Sequence, residues 1–499
     1  MNVRQAALAL LAWGGMARAQ GPAIHLIDAG PGSGPQVLEA ALARPYVVIG
    51  PGQSRAVLSR DSTYSRTVIV LGREAAVEAR VTGDVIVVGG DLHVHPRANI
   101  SGRAIAIGGG VYESALADIH GGSLALRDFT YDVTPVPGGY ELRYRALTGR
   151  PVETVGLSGI YGFRIPSYDR TNGLSVPVGV TFAARHGAAT LEPRLTYRSQ
   201  LGAVDPGVDA TYLLDSRTTL TATAQRGTFS NDAWIWSDLL NSLGSLAAGH
   251  DTRNYFRAWR ADLTASRSIA WESYSLAPYV GARWERDESA RPGIGVTSGP
   301  WSLRGRRDPD DMFRPNPLID SGTVVSARGG ATFMASRDDV VVSATLDVEA
   351  GALSPKAAPS ARFVQTTFDG AISFPTFGTQ SLRLEGHAVA SSPGTPRQRW
   401  AYIGGAGTIP TIDLLSRGGD RLIYFDGRYR IPIDRFTLPF IGPPAIVLRE
   451  ALGGADVKRW PSLAQATGVR IALNVVYLEF LVDPATRHHY AGVGLSMAP

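Results

Sequence analysis

The chain has 499 residues, of which 44% are hydrophobic and 19% charged; it carries a net charge of +5 and contains 57 glycines, 32 prolines and no cysteine. At roughly 150 residues per domain, this length excludes a single small core and suggests about three domains unless one is a large closed sheet. The charged fraction is below the roughly 25% usual in soluble proteins, yet no run of about 18 consecutive apolar residues occurs, which excludes bilayer-spanning helices. The missing cysteine removes disulfide frameworks, thiolate zinc sites and cysteine nucleophiles together.

Lysine occurs only at Lys356 and Lys458, leaving 47 arginines. No block of about five basic residues occurs, so no nucleic-acid partner is expected. Residues 1–19 combine Arg4, an apolar stretch from Ala6 to Trp13, and the small-residue pattern Ala17-Arg18-Ala19. These are the parts of a secretory signal peptide, with cleavage expected after Ala19.

From Thr67, three segments align: TVIVLGREAAVEARVTG, DVIVVGGDLHVHPRANISG and RAIAIGGGVYESALADIHG. Each opens with an alternating aliphatic run and closes at a turn, at Gly83, Gly102 and Gly121. The period is too short for two packed helices and fits one coil of a parallel β-solenoid. Neighbouring coils are then expected to stack Val68/Val70, Val85/Val87 and Ala104/Ala106, or the alternate row Ile69, Ile86 and Ile105, into a continuous core. Gln36–Pro45 reads as a capping helix and YVVIGPG as the first strand. Domain boundaries follow as 20–135 for a periplasmic solenoid and 136–151 for a linker. His93 and His95 lie two apart on one strand face, a candidate metal pair, but His120 falls out of phase, so no metal site is assigned. The phrasing G-D-V-x-V-x-G-G-x-x-x-V at Gly83–Val94 resembles bactofilin-like, polymer-forming β-solenoid repeats. That resemblance implies a solenoid able to dock an envelope partner or self-associate.

From about Val152 to the end the pattern becomes long alternating strands. Ser343, Thr345, Asp347 and Glu349 oppose Val342, Ala344, Leu346 and Val348; Arg383, Glu385 and His387 oppose Leu382, Leu384 and Ala388. Arg283 and Glu285 oppose Val280 and Trp284, and Asp426, Arg428 and Arg430 oppose Phe425, Tyr429 and Ile431. In an outer-membrane barrel the apolar face meets lipid and the charged face lines the lumen. Roughly 22 residues per strand and turn predict about 16 strands over 152–499. The fold class is therefore all-β: a transmembrane antiparallel barrel preceded by a small parallel solenoid, with outer-membrane lipid as a partner.

The lumen-facing set comprises Arg194, Arg260, Asp262, Arg283, Glu285, Asp347, Glu349, Arg383, Glu385, Asp426, Arg428, Arg430 and Glu479, with Glu192 and Arg198 beside them. Trp259, Trp271, Trp284 and Trp400 are expected in an aromatic girdle. The interruptions Ser230–Asp251 and Pro292–Ser321 are expected as extracellular loops, the second carrying Asp308, Asp310 and Asp311, a calcium candidate better read as self-paired with neighbouring arginines.

The last hundred residues carry WAYIGGAGTIPTID (Trp400–Asp413) followed by GGDRLIYFDGRYRIPI (Gly418–Ile433). This order resembles the carboxy-terminal barrel of the BamA/TamA outer-membrane assembly superfamily, where a G-G-x-G-T-x-R-G-aromatic loop folds into the lumen and the next strand ends E-Y-R-F-P-L. Gly404, Gly405, Gly407 and Thr408 match the first motif, and Tyr429-Arg430-Ile431-Pro432-Ile433 the second. GIYGFRIPSYDRTNGLSVPVG (Gly159–Gly179) and DTRNYFRAW (Asp251–Trp259) are similar to members of the wider group. Ile409 and Pro410 follow Thr408, so the arginine expected in the loop is missing, and Asp426 with Arg428 and Arg430 could hold the loop instead. The solenoid stands where that superfamily places POTRA repeats. The resemblance implies a role in outer-membrane biogenesis or translocation; a barrel of this size is also wide enough for a passive solute pore. G-x-S-x-G is absent, and His186, His250 and His387 lie near no nucleophile motif. Neither an enzyme activity nor a cofactor is expected.

Overall fold

The computed structural model describes residues 22–30, 33–114, 116–127, 129–147, 155–157, 164–184, 189–215, 217–271, 274–290, 301–303, 312–337, 339–355, 359–433, 444–473 and 476–495. The signal peptide and the Asp308–Asp311 cluster lie outside them.

The amino-terminal unit is a parallel solenoid of about four coils. Its longest row of strands, Tyr46–Ile49, Thr67–Leu71, Val85–Val88, Ala104–Ile107 and Ser123–Leu126, stacks without register slip: Val68 sits on Val85 and Ala104, and Ile69 on Ile86 and Ile105. The two rows that alternate along these strands are both buried. Val68, Val70, Val85, Val87, Ala104 and Ala106 fill the inside of the coil. Ile69, Ile86 and Ile105 point outward, beneath Val37, Leu38 and Ala41 of the helix Ser33–Leu42 and beneath Phe129 and Tyr131. Each such isoleucine contributes roughly 1.5–3 kcal/mol by burial. The coils close up backbone to backbone at their corners, where a Cβ on Gly121 would lie 2.6 Å from the Gly102 carbonyl oxygen. A side chain there would hold the coils apart, which accounts for Gly83, Gly102 and Gly121.

Part of the stretch 136–151, expected as a linker, belongs to this unit. The strand Gly139–Ala146 pairs in antiparallel register with Phe129–Val136 and in parallel with Ala23–Asp28. Leu142, fully buried, seals the outward isoleucine row. The boundary moves because a solenoid with two apolar rows needs cover on its outer side as well as stacking.

The carboxy-terminal unit is an antiparallel meander. Its 18 hydrogen-bonded segments make 16 strands, because Val155–Leu157 and Ser167–Asp169 both pair with Gly173–Ala184, and Phe256–Arg267 and Ile269–Ala270 both pair with Tyr274–Ser289. The alternation read from the sequence sorts the two faces: Val280 is 66% exposed and Val493 67%, while Glu285 and Asp426 are 0% exposed. This inverts the arrangement of a soluble sheet. Among the described residues, Tyr274–Ser289, Gly322–Arg337 and Val340–Pro355 have 16 residues each.

Trp259, Trp271 and Trp284 stand on the outer surface, Trp271 stacked on Tyr274 with ring centroids 4.5 Å apart. Trp400 departs from the girdle expectation. It follows the turn Arg397–Arg399 and lines an inner cleft with Asn231 and Tyr402. Strand alternation does not govern a residue that is outside a strand.

Candidate functional site

Because strand direction alternates, connections 230–255, 290–321 and 392–420 all leave from one end of the sheet. Two of them turn inward and meet the charged inner face.

The inner-face residues are paired along and across strands. Arg260 bonds Glu285, Arg283 bonds Asp262 at 2.6 Å, and Arg328 bonds Asp347 at 2.9 Å. Arg383 bonds Glu385 at 2.6 Å, and Arg428 reaches Glu385 at 3.2 Å and Asp426 at 2.8 Å. Arg470 bonds Glu479 at 2.7 Å. Near the first strands Arg194 pairs with Asp209, Arg164 with Glu192 at 2.6 Å, and Arg198 with Asp205 at 2.5 Å. Among the described residues the charges of this wall are held by one another, with both signs interspersed.

The 392–420 segment crosses this wall on two arginines. Arg399, 3% exposed in the turn Arg397–Arg399, bonds both Glu285 and Glu349, the latter at 2.9 Å through Nε. Burial works against its charge, and the two carboxylates outweigh burial, so its pKa lies above the ordinary guanidinium value. Beside it, Gln398 Nε2 donates to Asp287 at 2.8 Å, and Gln365 Nε2 donates to the Arg399 carbonyl at 2.7 Å. The hairpin Ala401–Ile403 with Arg417–Gly419 then carries the glycine turn. Gly404, Gly405 and Gly407 have φ of 128°, 75° and 92°, a region that side chains disfavour. Gly404 N–H donates to Thr408 Oγ1 at 3.0 Å, closing the turn. Ile403 and Ile409, both fully buried, pack on Leu422, Ala451, Ala466 and Leu481 of the last strands.

The second arginine is Arg449. It donates to the Thr408 carbonyl at 2.8 Å and to Asp426 at 2.6 Å, and reaches Glu479 at 3.3 Å. This corrects the expectation that Asp426 with Arg428 and Arg430 holds the loop. Asp426 takes part, but Arg428 pairs sideways with Glu385, and Arg430 lies further along, in register with Ser381 and Val447. Both Arg399 and Arg449 were missed in the sequence. Arg449 carries a signal, since it alternates with outward Leu448 and Ile446; Arg399 lies outside any strand and carries none.

The Ser230–Asp251 stretch, expected as an extracellular loop, also turns inward onto the inner face of the strands. Trp234 stacks on His387 at 4.0 Å and 8° and meets Tyr424 at 5.4 Å. Helix Asp238–Leu243, capped by Ser237, reaches the first strand, where Tyr168 N–H donates to Ser242 Oγ. Asp232 is 1% exposed and accepts from Asn254 N–H at 2.8 Å; burial pushes its carboxyl up to about 7. The two phrases noted as similar to the wider group interlock here: Arg170 N–H donates to Asp251 at 2.9 Å and its Nη2 donates to the Arg253 carbonyl at 3.0 Å. Beneath lies a cavity of about 400 Å³, lined among others by Trp236, Leu240, Thr345, Glu385, His387 and Arg428.

The solenoid histidines are engaged by neighbouring coils. His93 stacks on Tyr112 at 5.1 Å, and His95 lies 3.0 Å from Glu78.

No protein-family profile matches the chain, and no curated protein matches it in sequence. Among solved structures it is similar to CdiB from Acinetobacter baumannii (13% identity, TM-score 0.39, 74% of this chain and 65% of that chain, under two thirds of it). It is similar to CdiB from Escherichia coli at 12% identity and TM-score 0.41, over 74% of this chain and 67% of that one. It is also similar to BamA from Haemophilus ducreyi lacking POTRA domains 1–3, at 11% identity and TM-score 0.44, over 74% of this chain and 73% of that one.

Proposed function

We propose that the chain is an outer-membrane β-barrel protein acting in outer-membrane biogenesis or translocation, with its solenoid in the periplasm as a docking element for an envelope partner. The observation that carries this reading is the inner face. Its charges are paired with one another, and the Gly404–Thr408 turn is pinned across it by Arg399 and Arg449. A diffusion pore needs an open lumen, whereas here segments 392–420 and 230–251 both turn onto the inner face. The outward apolar face supports a lipid environment, since a closed barrel is the form in which β-structure satisfies its backbone within lipid.

The test is depletion of the protein followed by quantification of folded outer-membrane barrels and of surface-exported protein. Unchanged levels of both would remove the biogenesis and translocation role. A passive pore is the second reading, and stable, ohmic open currents from the intact wild-type chain in planar bilayers would favour it.

A further inference from the structure

The two segments in the lumen are held in different ways. Segment 392–420 is fixed by desolvated ion pairs at Arg399, by Arg449 on the Thr408 carbonyl, and by buried Ile403 and Ile409. Removing one partner of such a pair strands a buried charge, so these holds are strong. The Ser230–Asp251 segment reaches the far wall through Trp234, whose ring rests on His387 and Tyr424. Neither Trp234 Nε1 nor His387 Nε2 has a hydrogen-bond partner among the described residues. His387 Nδ1 is turned the other way, to Asp369 at 2.6 Å. The ion pair at the base of the segment, Arg253 with Asp238 at 2.7 Å, joins parts of the same connection. Its other ties run to the first strand, to segment 392–420 and to its own base: Asn231 donates to the Gln398 carbonyl, Tyr168 N–H donates to Ser242, buried Asp251 accepts from Arg170 N–H, and buried Asp232 accepts from Asn254 N–H. The helical stretch ends at Gly249, whose φ of 72° allows a sharp reversal.

An aromatic stack is a weaker hold than desolvated charge. With two orphaned ring nitrogens at the contact, water that enters as the rings part regains their hydrogen bonds. The same segment supplies Trp234, Ile235, Trp236 and Leu240 to the cavity lining.

We propose that Ser230–Asp251 is a displaceable gate, latched by Trp234 on His387, and that segment 392–420 is the fixed part of the closure. Release of the latch opens the cavity, with Thr345, Asp369, Glu385 and His387 on its wall, toward the mouth that the segment covers. The inference rests on the chain being a membrane barrel.

The experiment compares the full wild-type chain with Trp234→Ala, His387→Ala and Trp234→Phe in planar bilayers, after heat-modifiability on gels has established folding and insertion. Losing the stack raises the open fraction roughly two- to tenfold, the factor that one aromatic contact sets in a two-state equilibrium. Trp234→Phe keeps a ring on His387 and stays near the wild type. The double variant Trp234→Ala/His387→Ala opens no further than Trp234→Ala alone, because that change already removes the contact with His387. Where Trp234→Ala fails to fold, His387→Ala on the wall carries the same expectation. A folded, inserted alanine variant with wild-type currents, silent or open, overturns the gate, as does a Trp234→Phe variant as open as the alanine one. A wild-type chain that enters no membrane instead overturns the membrane reading on which the gate rests.

Discussion

Replacing Arg399 by methionine removes the guanidinium that answers two buried carboxylates while keeping most of the side-chain volume. Glu285 is fully buried and is left with the Arg260 ion pair, and Glu349, 5% exposed, is left with the Ser326 hydroxyl at 2.7 Å as its hydrogen-bond partner among the described residues. Breaking a buried ion pair from one side costs about 3–5 kcal/mol. The backbone tie from Gln365 to the Arg399 carbonyl survives the change, so the cost falls on the stranded carboxylates and on the turn Arg397–Arg399. Urea unfolding of the full chain in detergent or lipid, followed by loss of the compact form on gels, measures this cost. The expected result is an unfolding free energy lower by about 3–5 kcal/mol, together with protease cutting within 397–420. Adding Glu349→Gln to Arg399→Met removes one stranded charge and recovers part of the loss, giving a clear coupling energy in the double-mutant cycle. A cost for Arg399→Met below about 1 kcal/mol, the size of an exposed ion pair, would refute the pinned-loop argument.

Leu346→Arg places a charge on the outer face, where Leu346 is 46% exposed. Near the bilayer midplane it costs about 2–4 kcal/mol, and a cost under about 0.5 kcal/mol, as on a water-facing surface, would count against lipid contact. In the solenoid, Ile86→Ala truncates a fully buried rung between Ile69 and Ile105; it is expected to lower stability by about 2–5 kcal/mol, read by limited proteolysis of the region around 67–126. The Asp232 carboxyl, raised from 3.8 to about 7, favours its protonated form in the folded segment. Its contribution is therefore full below about pH 4 and is lost as pH rises through about 7. Protease access to Ser230–Asp251 is expected to be greater at pH 8 than at pH 5, and equal access at the two values, or an unchanged pH profile in Asp232→Asn, would argue against that assignment.

The legible parts of the structure are those governed by a local period. The dyad of charged and apolar residues in Val340–Pro355, Tyr274–Ser289 and Arg421–Pro432 named the inner residues strand by strand, because successive side chains on a strand point to opposite faces. The repeat from Thr67 named the coil and its corner glycines, since stacked coils must present equivalent residues at equivalent places. The same rule gave two aliphatic rows without saying which was buried. Both are, and the cover that buries the second row, Leu142 with its strand, lay in residues that read as a linker.

What the sequence by itself determined is the pair of architectures, a strand number of about 16 and the two faces of the wall. Only the tertiary structure decided which charges meet. Arg449 reaches Asp426 from the neighbouring strand, Arg399 meets Glu285 and Glu349 from a connection outside the alternation, and Trp234 finds His387 across the lumen. The physical reason is that periodicity fixes the direction of a side chain relative to its own strand. The partner it meets depends on register between strands and on where a loop crosses the enclosed space, and neither is written in any local stretch of residues.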